Sequence, residues 1–223
     1  MPNLALIGYG KMGRMVDHLA PEYGFTVTAR VDIDREEPLD GADVAVEFST
    51  PDAVLGNIRK VAERRIPAVV GTTGWLEHLD AARRLVQEND SALIWSPNFS
   101  VGANVFERLI AEAARLLKDE KEYGAWAWEI HHITKKDALS GTVLKLVQTM
   151  KGAGYSRDIS VSSNRAGAHP GTHEIGFDSA ADTITLRHTA RSREGFARGA
   201  LKAAQWIVGR KGFYEFKEAL FGS

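Results

Sequence analysis

Apolar residues in the first hundred positions fall into short runs separated by stretches in which they recur every three or four residues. Leu4 to Gly8, Phe25 to Asp32, Asp43 to Ser49, Pro67 to Thr72 and Ala92 to Ser96 are rich in Val, Ile and Ala and end in Gly, Asp, Ser or Thr. Runs that are apolar throughout suit strands of a parallel sheet covered on both faces. Between them, Lys11–Ala20, Asp52–Arg65 and Leu76–Asn89 carry helical spacing, with Leu76, Leu79, Ala82 and Leu85 on one side of the last. Strand–helix alternation of this kind predicts right-handed crossovers and an N-terminal, Rossmann-like doubly wound α/β domain.

After Phe99 the pattern changes. Val101 to Lys118 reads as a long helix with Val105, Leu109, Ala113 and Leu116 along one side. Strand-like runs follow at Ala125–His131, Ile159–Arg165, His173–Phe177 and Thr183–Arg191, with a helix from Thr142 to Met150. Strands without regular intervening helices imply a mixed or antiparallel sheet, hence a second α+β domain. Arg193 to Arg210 is again amphipathic, with Phe196, Ala200, Ala203 and Ile207 on one face. Packed back on the first domain, it makes that domain discontinuous: residues 1–100 with 193–223, and 101–192 between them.

Four features suggest chemistry. Gly8-Tyr9-Gly10-Lys11-Met12-Gly13 follows a strand and opens a helix, the setting in which glycines admit a pyrophosphate to the helix N-terminus. Asp32 closes the second strand at the offset expected of a ribose-binding carboxylate. It disfavours a 2′-phosphate that Lys11, Arg14 and Arg30 would favour, so NADH and NADPH both stay open. Phe48-Ser49-Thr50-Pro51 and Gly71-Thr72-Thr73-Gly74 lie on the same carboxyl edge, either as ligand loops or as plain helix caps. The densest block is Glu129-Ile130-His131-His132-Ile133-Thr134-Lys135-Lys136-Asp137-Ala138-Leu139-Ser140-Gly141-Thr142. Ser140 begins a helix whose exposed amides suit a carboxylate or phosphate, Lys135 adds positive charge, and a histidine can deliver a proton near neutral pH. Arg165-Ala166-Gly167 through Gly171-Thr172-His173 is a further loop suited to an anion. No metal site is expected, because adjacent strand histidines diverge and no i, i+4 partner exists.

Composition narrows the classes. The chain has 223 residues, and 28 Lys and Arg against 29 Asp and Glu give a net charge of −1, which argues against a nucleic-acid partner. Without cysteine, disulfides, thiolate catalysis and cysteine-ligated metals are excluded. No apolar run is long enough to span a bilayer, and Met1-Pro2-Asn3-Leu4 does not open a signal peptide. The expectation is a soluble, cytoplasmic protein with no membrane partner.

The Glu129–Thr142 block resembles the signature E-x-H-H-x-x-K-x-D-A-P-S-G-T of the 4-hydroxy-tetrahydrodipicolinate reductase (dihydrodipicolinate reductase) family. The glycine loop, Phe48–Pro51, Gly71–Gly74, Pro97–Gly102, Arg165–Gly167, Ser192-Arg193 and Phe196-Ala197 resemble that family in the same order. The resemblance implies a lysine and diaminopimelate biosynthetic oxidoreductase, a homotetramer, that transfers hydride from NADH or NADPH to a cyclic dicarboxylate. It implies His131 as general acid, Lys135 as its assistant, and His132, Ser140, Gly141, Thr142 and Arg165 around the substrate. It places Gly8, Tyr9, Gly10, Lys11, Met12 and Gly13 at the pyrophosphate, and Asp32 at the ribose. Phe48, Ser49, Gly71, Thr72, Thr73, Ser96, Pro97, Asn98 and Phe99 would hold the rest of the cofactor. Two departures stand out: Leu139 replaces the family proline, and the glycine loop is one residue short, leaving Lys11 as the 2′-phosphate partner. Other readings are a different two-domain imine or aldehyde reductase, or a non-catalytic nucleotide sensor, which has no need of an acid beside an anion cradle.

Overall fold

The computed structural model describes residues 1–222 and divides into two units, Met1–Val101 with the chain from Arg193 onward, and Gly102–Ser192. In the first unit β1 (Asn3–Ile7), β2 (Thr26–Val31), β3 (Val44–Glu47), β4 (Ala68–Val70) and β5 (Ala92–Trp95) are joined by a strand from the tail, β10 (Gly212–Glu215). The order is β10-β5-β4-β3-β1-β2 and every pairing is parallel. Side chains alternate across it, as a pleat requires. Leu4, Leu6, Val44, Val46, Val69 and Ile94 face one core, with α1 (Lys11–Leu19) and α6 (Glu194–Ile207). Ala5, Ile7, Ala45, Ala68, Val70 and Leu93 face the other, with α2 (Pro51–Ala62) and α3 (Leu79–Glu88).

Helix α6 lies close to its neighbours because its packed face is small: Ala197, Gly199, Ala200, Ala203 and Ala204 are all buried. Phe196, expected on that face, is only half-buried. Leu76 is exposed, since the chain makes a short 3-10 turn over Leu76–His78 before α3 begins. The tail strand β10 and the short helix α7 (Phe216–Phe221) were not anticipated; their apolar residues are too few to show a period.

The second unit holds α4 (Val101–Leu117, beginning at the boundary), β6 (Gly124–His131), α5 (Gly141–Gly152), β7 (Ile159–Arg165), β8 (Thr172–Asp178) and β9 (Thr183–Thr189). The sheet runs β7-β6-β8-β9, with β6 and β7 parallel and the rest antiparallel. It is the mixed sheet expected. The α4 stripe seen in the sequence is not the one that packs: Val105, Leu109 and Leu116 are 39%, 52% and 60% exposed, and Phe106, Ile110 and Ala114 enter the core. The helix carries two apolar stripes, and spacing alone does not choose between them. Along β6, Ala125, Ala127, Glu129 and His131 are buried with the helices, while Trp126, Trp128 and Ile130 are half-buried on the other face. No helix among the described residues is long and apolar enough to cross a membrane.

Gly199→Ala is expected to destabilise the first unit, because the added Cβ would fall 1.7 Å from the Phe99 carbonyl oxygen. Overpacking of this kind costs about 1–3 kcal/mol. Gly56→Ala in α2, where nothing lies within 4 Å, is expected to stabilise instead, by about 0.5–1 kcal/mol. Denaturant midpoints of the two variants check the contrast.

Candidate active site

In the first unit, β1 is followed by Gly8, which has φ 87° and whose Cβ would lie 2.1 Å from the Phe48 carbonyl oxygen. Gly13 is fixed in the same way, its Cβ falling 2.1 Å from the Gly8 oxygen. Gly10 differs: no atom lies within 4 Å of its Cβ position. That open space adjoins the start of α1, which has no side-chain cap and no acidic residue in its first turn. Free N–H groups and the positive helix end make such a place an anion site. The strand order reverses between β1 and β3, the switch point at which open α/β sheets bind ligands.

Asp32 stands just after β2. Its Oδ2 accepts the Tyr9 N–H at 3.1 Å and its Oδ1 accepts the Ile33 N–H at 2.9 Å, tying the strand end to the glycine loop. A cavity of about 350 Å³ opens there, lined by Gly8, Gly10, Asp32, Ile33, Ser49 and Lys60 among others. Uncrowded backbone, free amides and a carboxylate beside one cavity fit a dinucleotide. The guanidinium groups of Arg14, Arg30 and Arg35 lie 5.8, 5.9 and 5.7 Å from the Tyr9 ring centre. Arg30 is paired with both Asp17 oxygens at 2.7 and 2.9 Å and Arg35 with Glu37, whereas Arg14 contacts the neutral Tyr9 carbonyl at 3.3 Å. Of the sequence candidates for a 2′-phosphate, Arg30 is thus already held by Asp17.

Glu47 is buried at the end of β3. Its Oε1 accepts Asn57 Nδ2 and the Ser49 N–H, each at 3.2 Å, and the Ser49 hydroxyl, while Thr72 Oγ1 accepts the Ser49 N–H at 2.7 Å. Burial pushes this carboxyl up, further than the bonds from Ser49, Thr72 and Asn57 pull it down. The Phe48 ring lies over Gly71, where a Cβ would meet Cε1 at 2.1 Å. Thr73 is exposed on the same edge. Two expected cofactor contacts need correction. Phe99 is 2% exposed and packs on Phe216 at 4.8 Å between centroids, so it is core. Ser96 turns inward, its Oγ donating to the Asn98 carbonyl at 2.8 Å, leaving the backbone of Ser96, Pro97 and Asn98 to line the edge. Met12 packs against the core, and Lys11 is exposed beside the open space at Gly10.

In the second unit the histidine block resolves into a buried network. Glu129, fully buried, accepts the Ser140 N–H at 2.9 Å and the Ser163 hydroxyl at 2.8 Å on Oε1, and the Ser140 hydroxyl on Oε2. Its Oε2 also lies 3.6 Å from His131 Nδ1 and 3.4 Å from His173 Nε2. Burial raises the Glu129 carboxyl, but the Ser140 and Ser163 bonds outweigh it and hold the group below its ordinary value. Burial lowers His131; Glu129 opposes this, and Lys135, Arg165 and His132 add to it. Ser140 caps α5, its Oγ accepting the Val143 N–H at 3.2 Å. Gly141 and Thr142, both exposed, have no acceptor for their N–H groups among the described residues.

Ser140 and Arg165, read as substrate contacts, are both engaged within the protein. The Ser140 hydroxyl is buried and spent on Glu129 and Val143, so the residue builds the helix end rather than meeting a ligand. Arg165 bonds Ser163 Oγ at 2.7 Å, the Asn164 carbonyl at 2.8 Å and the Asp137 carbonyl, which ties β7 to the 132–140 loop. Lys135 Nζ pairs with both Asp137 oxygens at 2.8 Å, and His132 Nδ1 meets Thr134 Oγ1 at 2.7 Å. Sequence reasoning missed Glu129 and His173 as partners of His131. The available signal was a charged residue in register with Ala125 and Ala127 on the inward side of β6.

The profile of the dihydrodipicolinate reductase N-terminus matches residues 2–99, and that of its C-terminus residues 102–220. The chain belongs to the dihydrodipicolinate reductase family. The 4-hydroxy-tetrahydrodipicolinate reductase of Christiangramia forsetii is 36% identical over 232 residues, spanning 98% of this chain and 97% of the relative. That of Thermosipho africanus is 34% identical over 218 residues, spanning 96% of each. The dipicolinate-bound dihydrodipicolinate reductase from Paenisporosarcina sp. TG-14 has a TM-score of 0.83 over 98% of this chain and 99% of its own, which at 23% identity attests the shared fold. Membership makes the chain an NAD(P)H-dependent oxidoreductase of lysine and diaminopimelate biosynthesis.

Asp32→Asn is expected to raise KM for NADH about tenfold, the scale of one lost charged hydrogen bond. KM for NADPH is expected to fall or hold, because the carboxylate repels a 2′-phosphate. Parallel steady-state titrations check this, and equal losses for both cofactors would count against a ribose contact.

Proposed function

We propose that this chain reduces 4-hydroxy-tetrahydrodipicolinate to tetrahydrodipicolinate with NADH or NADPH, and that His131 gives the proton. One observation supports this reading most: a single buried carboxylate lies 2.9 Å from the N–H that begins the α5 anion cradle and 3.6 Å from His131 Nδ1. Cradle and acid thus share one anchor. The bound dihydronicotinamide supplies a hydride to the substrate ring, two electrons and one hydrogen. His131 supplies the proton, and with loss of water the balance is substrate plus NAD(P)H plus H⁺ giving product, NAD(P)⁺ and water.

Each remaining part belongs to this chain. The Gly141 and Thr142 N–H groups hold one ring carboxylate. Lys135, steadied by Asp137, adds charge where the ring becomes electron-rich on hydride addition. His132 contacts the substrate. In the first unit the glycine loop, Asp32 and the Phe48–Ser49 and Gly71–Thr73 edges hold the cofactor. The same proposal carries a cytoplasmic homotetramer, for which the Trp126, Trp128 and Ile130 face of the second sheet is the apolar surface on offer.

Freshly made substrate, given with NADH and with NADPH while nicotinamide absorbance is followed, tests the reaction; no turnover with either cofactor defeats it. His131→Ala is expected to lower kcat by about 10²–10⁴ with cofactor affinity kept, measured by fluorescence titration. Pyridine-2,6-dicarboxylate is expected to bind with proton uptake. The free imidazole titrates below its ordinary value, two ligand carboxylates raise it, and so affinity falls as pH rises between the two. Calorimetry in buffers of different ionisation enthalpy reads the uptake.

A further inference from the structure

We infer that Glu129 is the positioning residue of the proton donor: its buried carboxylate turns His131 so that Nδ1 faces Oε2 and Nε2 is presented to the substrate. This rests on His131 being the acid. Glu129 and His131 lie two residues apart on the inward side of β6, so their side chains project the same way. His131 Nδ1 is buried with no hydrogen-bond partner among the described residues, and Glu129 Oε2 at 3.6 Å is the acceptor it faces. Such bonds are often long before substrate arrives and tighten in the reacting complex. The opposite ring edge lies against residue 171, where the absence of a side chain keeps Nε2 from being covered. A Cβ on residue 171 would lie 3.1 Å from both Cδ2 and Nε2, and residue 171 is glycine.

The tautomer follows. A neutral imidazole carries one N–H, and a carboxylate on the Nδ1 side places it there. Nε2 is then the atom that takes up and releases the catalytic proton. Glu129 holds the cradle through Ser140, so one group sets the relation between acid and carboxylate site. His173 completes the arrangement. It packs edge-on against His131 at 5.0 Å between centroids, with Nε2 3.2 Å from Ser140 Oγ. Burial and the neighbouring His131 hold its pKa down to about 4, so it stays neutral and leaves the imidazolium charge to His131. The ligand atoms of Glu129, His131 and His173 lie within 4.8 Å of one another, a spacing a metal ion also favours. Ser140 Oγ, bonded to Glu129 and within reach of His173, fills that space with a hydrogen-bond network instead.

The charged and titratable groups around His131 come from several elements. Glu129 acts from β6, His132 and Lys135 from the loop beyond it, Arg165 from β7 and His173 from β8; His188 on β9 stands against His173. Among these Glu129 alone favours the imidazolium. Glu129→Gln keeps the size of the side chain and one acceptor oxygen, replaces the other with an NH2 donor, and removes its charge. The fall of kcat/KM at high pH is expected to move about one unit lower, with wild-type rates approached again at the acid end. Glu129→Asp is expected to lower kcat while leaving that limb in place. A Glu129→Gln profile with the limb unmoved, or reduced equally at every pH, overturns the inference. A His131→Ala enzyme that keeps its kcat overturns the reading beneath it. Nitrogen NMR of the unaltered protein needs no variant: neutral His131 is expected as the Nδ1–H tautomer, and the Nε2–H tautomer refutes the inference.

Discussion

A carboxylate taken out of water must be given hydrogen bonds or give up its charge. Among the described residues two are buried, Glu47 and Glu129, each at or near the carboxyl end of a strand. Much of the site geometry follows from satisfying them. Around Glu47 gather Ser49, Asn57 and Thr72, which fixes two loops of the nucleotide edge relative to each other. Around Glu129 gather Ser140, Ser163 and Arg165, which fixes the start of α5 and the 132–140 loop against β6 and β7. The two groups end differently: Glu47 has one oxygen without a partner and is pushed toward the neutral acid, while Glu129 is bonded well enough to remain an anion.

The two helix N-termini make a second contrast. Helix α1 starts at a glycine with no capping side chain, so its first N–H groups all remain available to a pyrophosphate with several oxygens. Helix α5 starts at a serine that satisfies the third N–H and leaves those of Gly141 and Thr142 outward. Two donors suit one carboxylate. The difference between the two helix starts is written in one residue, Gly10 against Ser140.

Much of this was legible in the sequence. The parallel sheet came from apolar runs and helical spacing, which report burial on both faces directly. The glycine loop and the His131–Thr142 block were visible because their chemistry is local. What sequence hid was long-range or inward-facing. His173 is 42 positions beyond His131 and meets it only because β8 pairs antiparallel with β6. Ser140 and Arg165 carry polar groups suited to a ligand, yet both turn toward Glu129, and nothing local says which way a hydroxyl or guanidinium points. Phe99 belongs to the core for the same reason. In α4 two apolar stripes compete, and only the sheet beneath decides between them.

The first unit is interrupted by the second, and its core shows the debt. Seven buried residues of α6 and Phe216 of α7 complete the hydrophobic layer on the α1 side of the sheet. None of them exists in a nascent chain until synthesis has passed the inserted segment. On the ribosome, therefore, residues 102–192 reach the tunnel exit with all their own core side chains while the nucleotide half still shows an uncovered apolar sheet face. The nucleotide half thus reaches its full core only after α6 and α7 have been added.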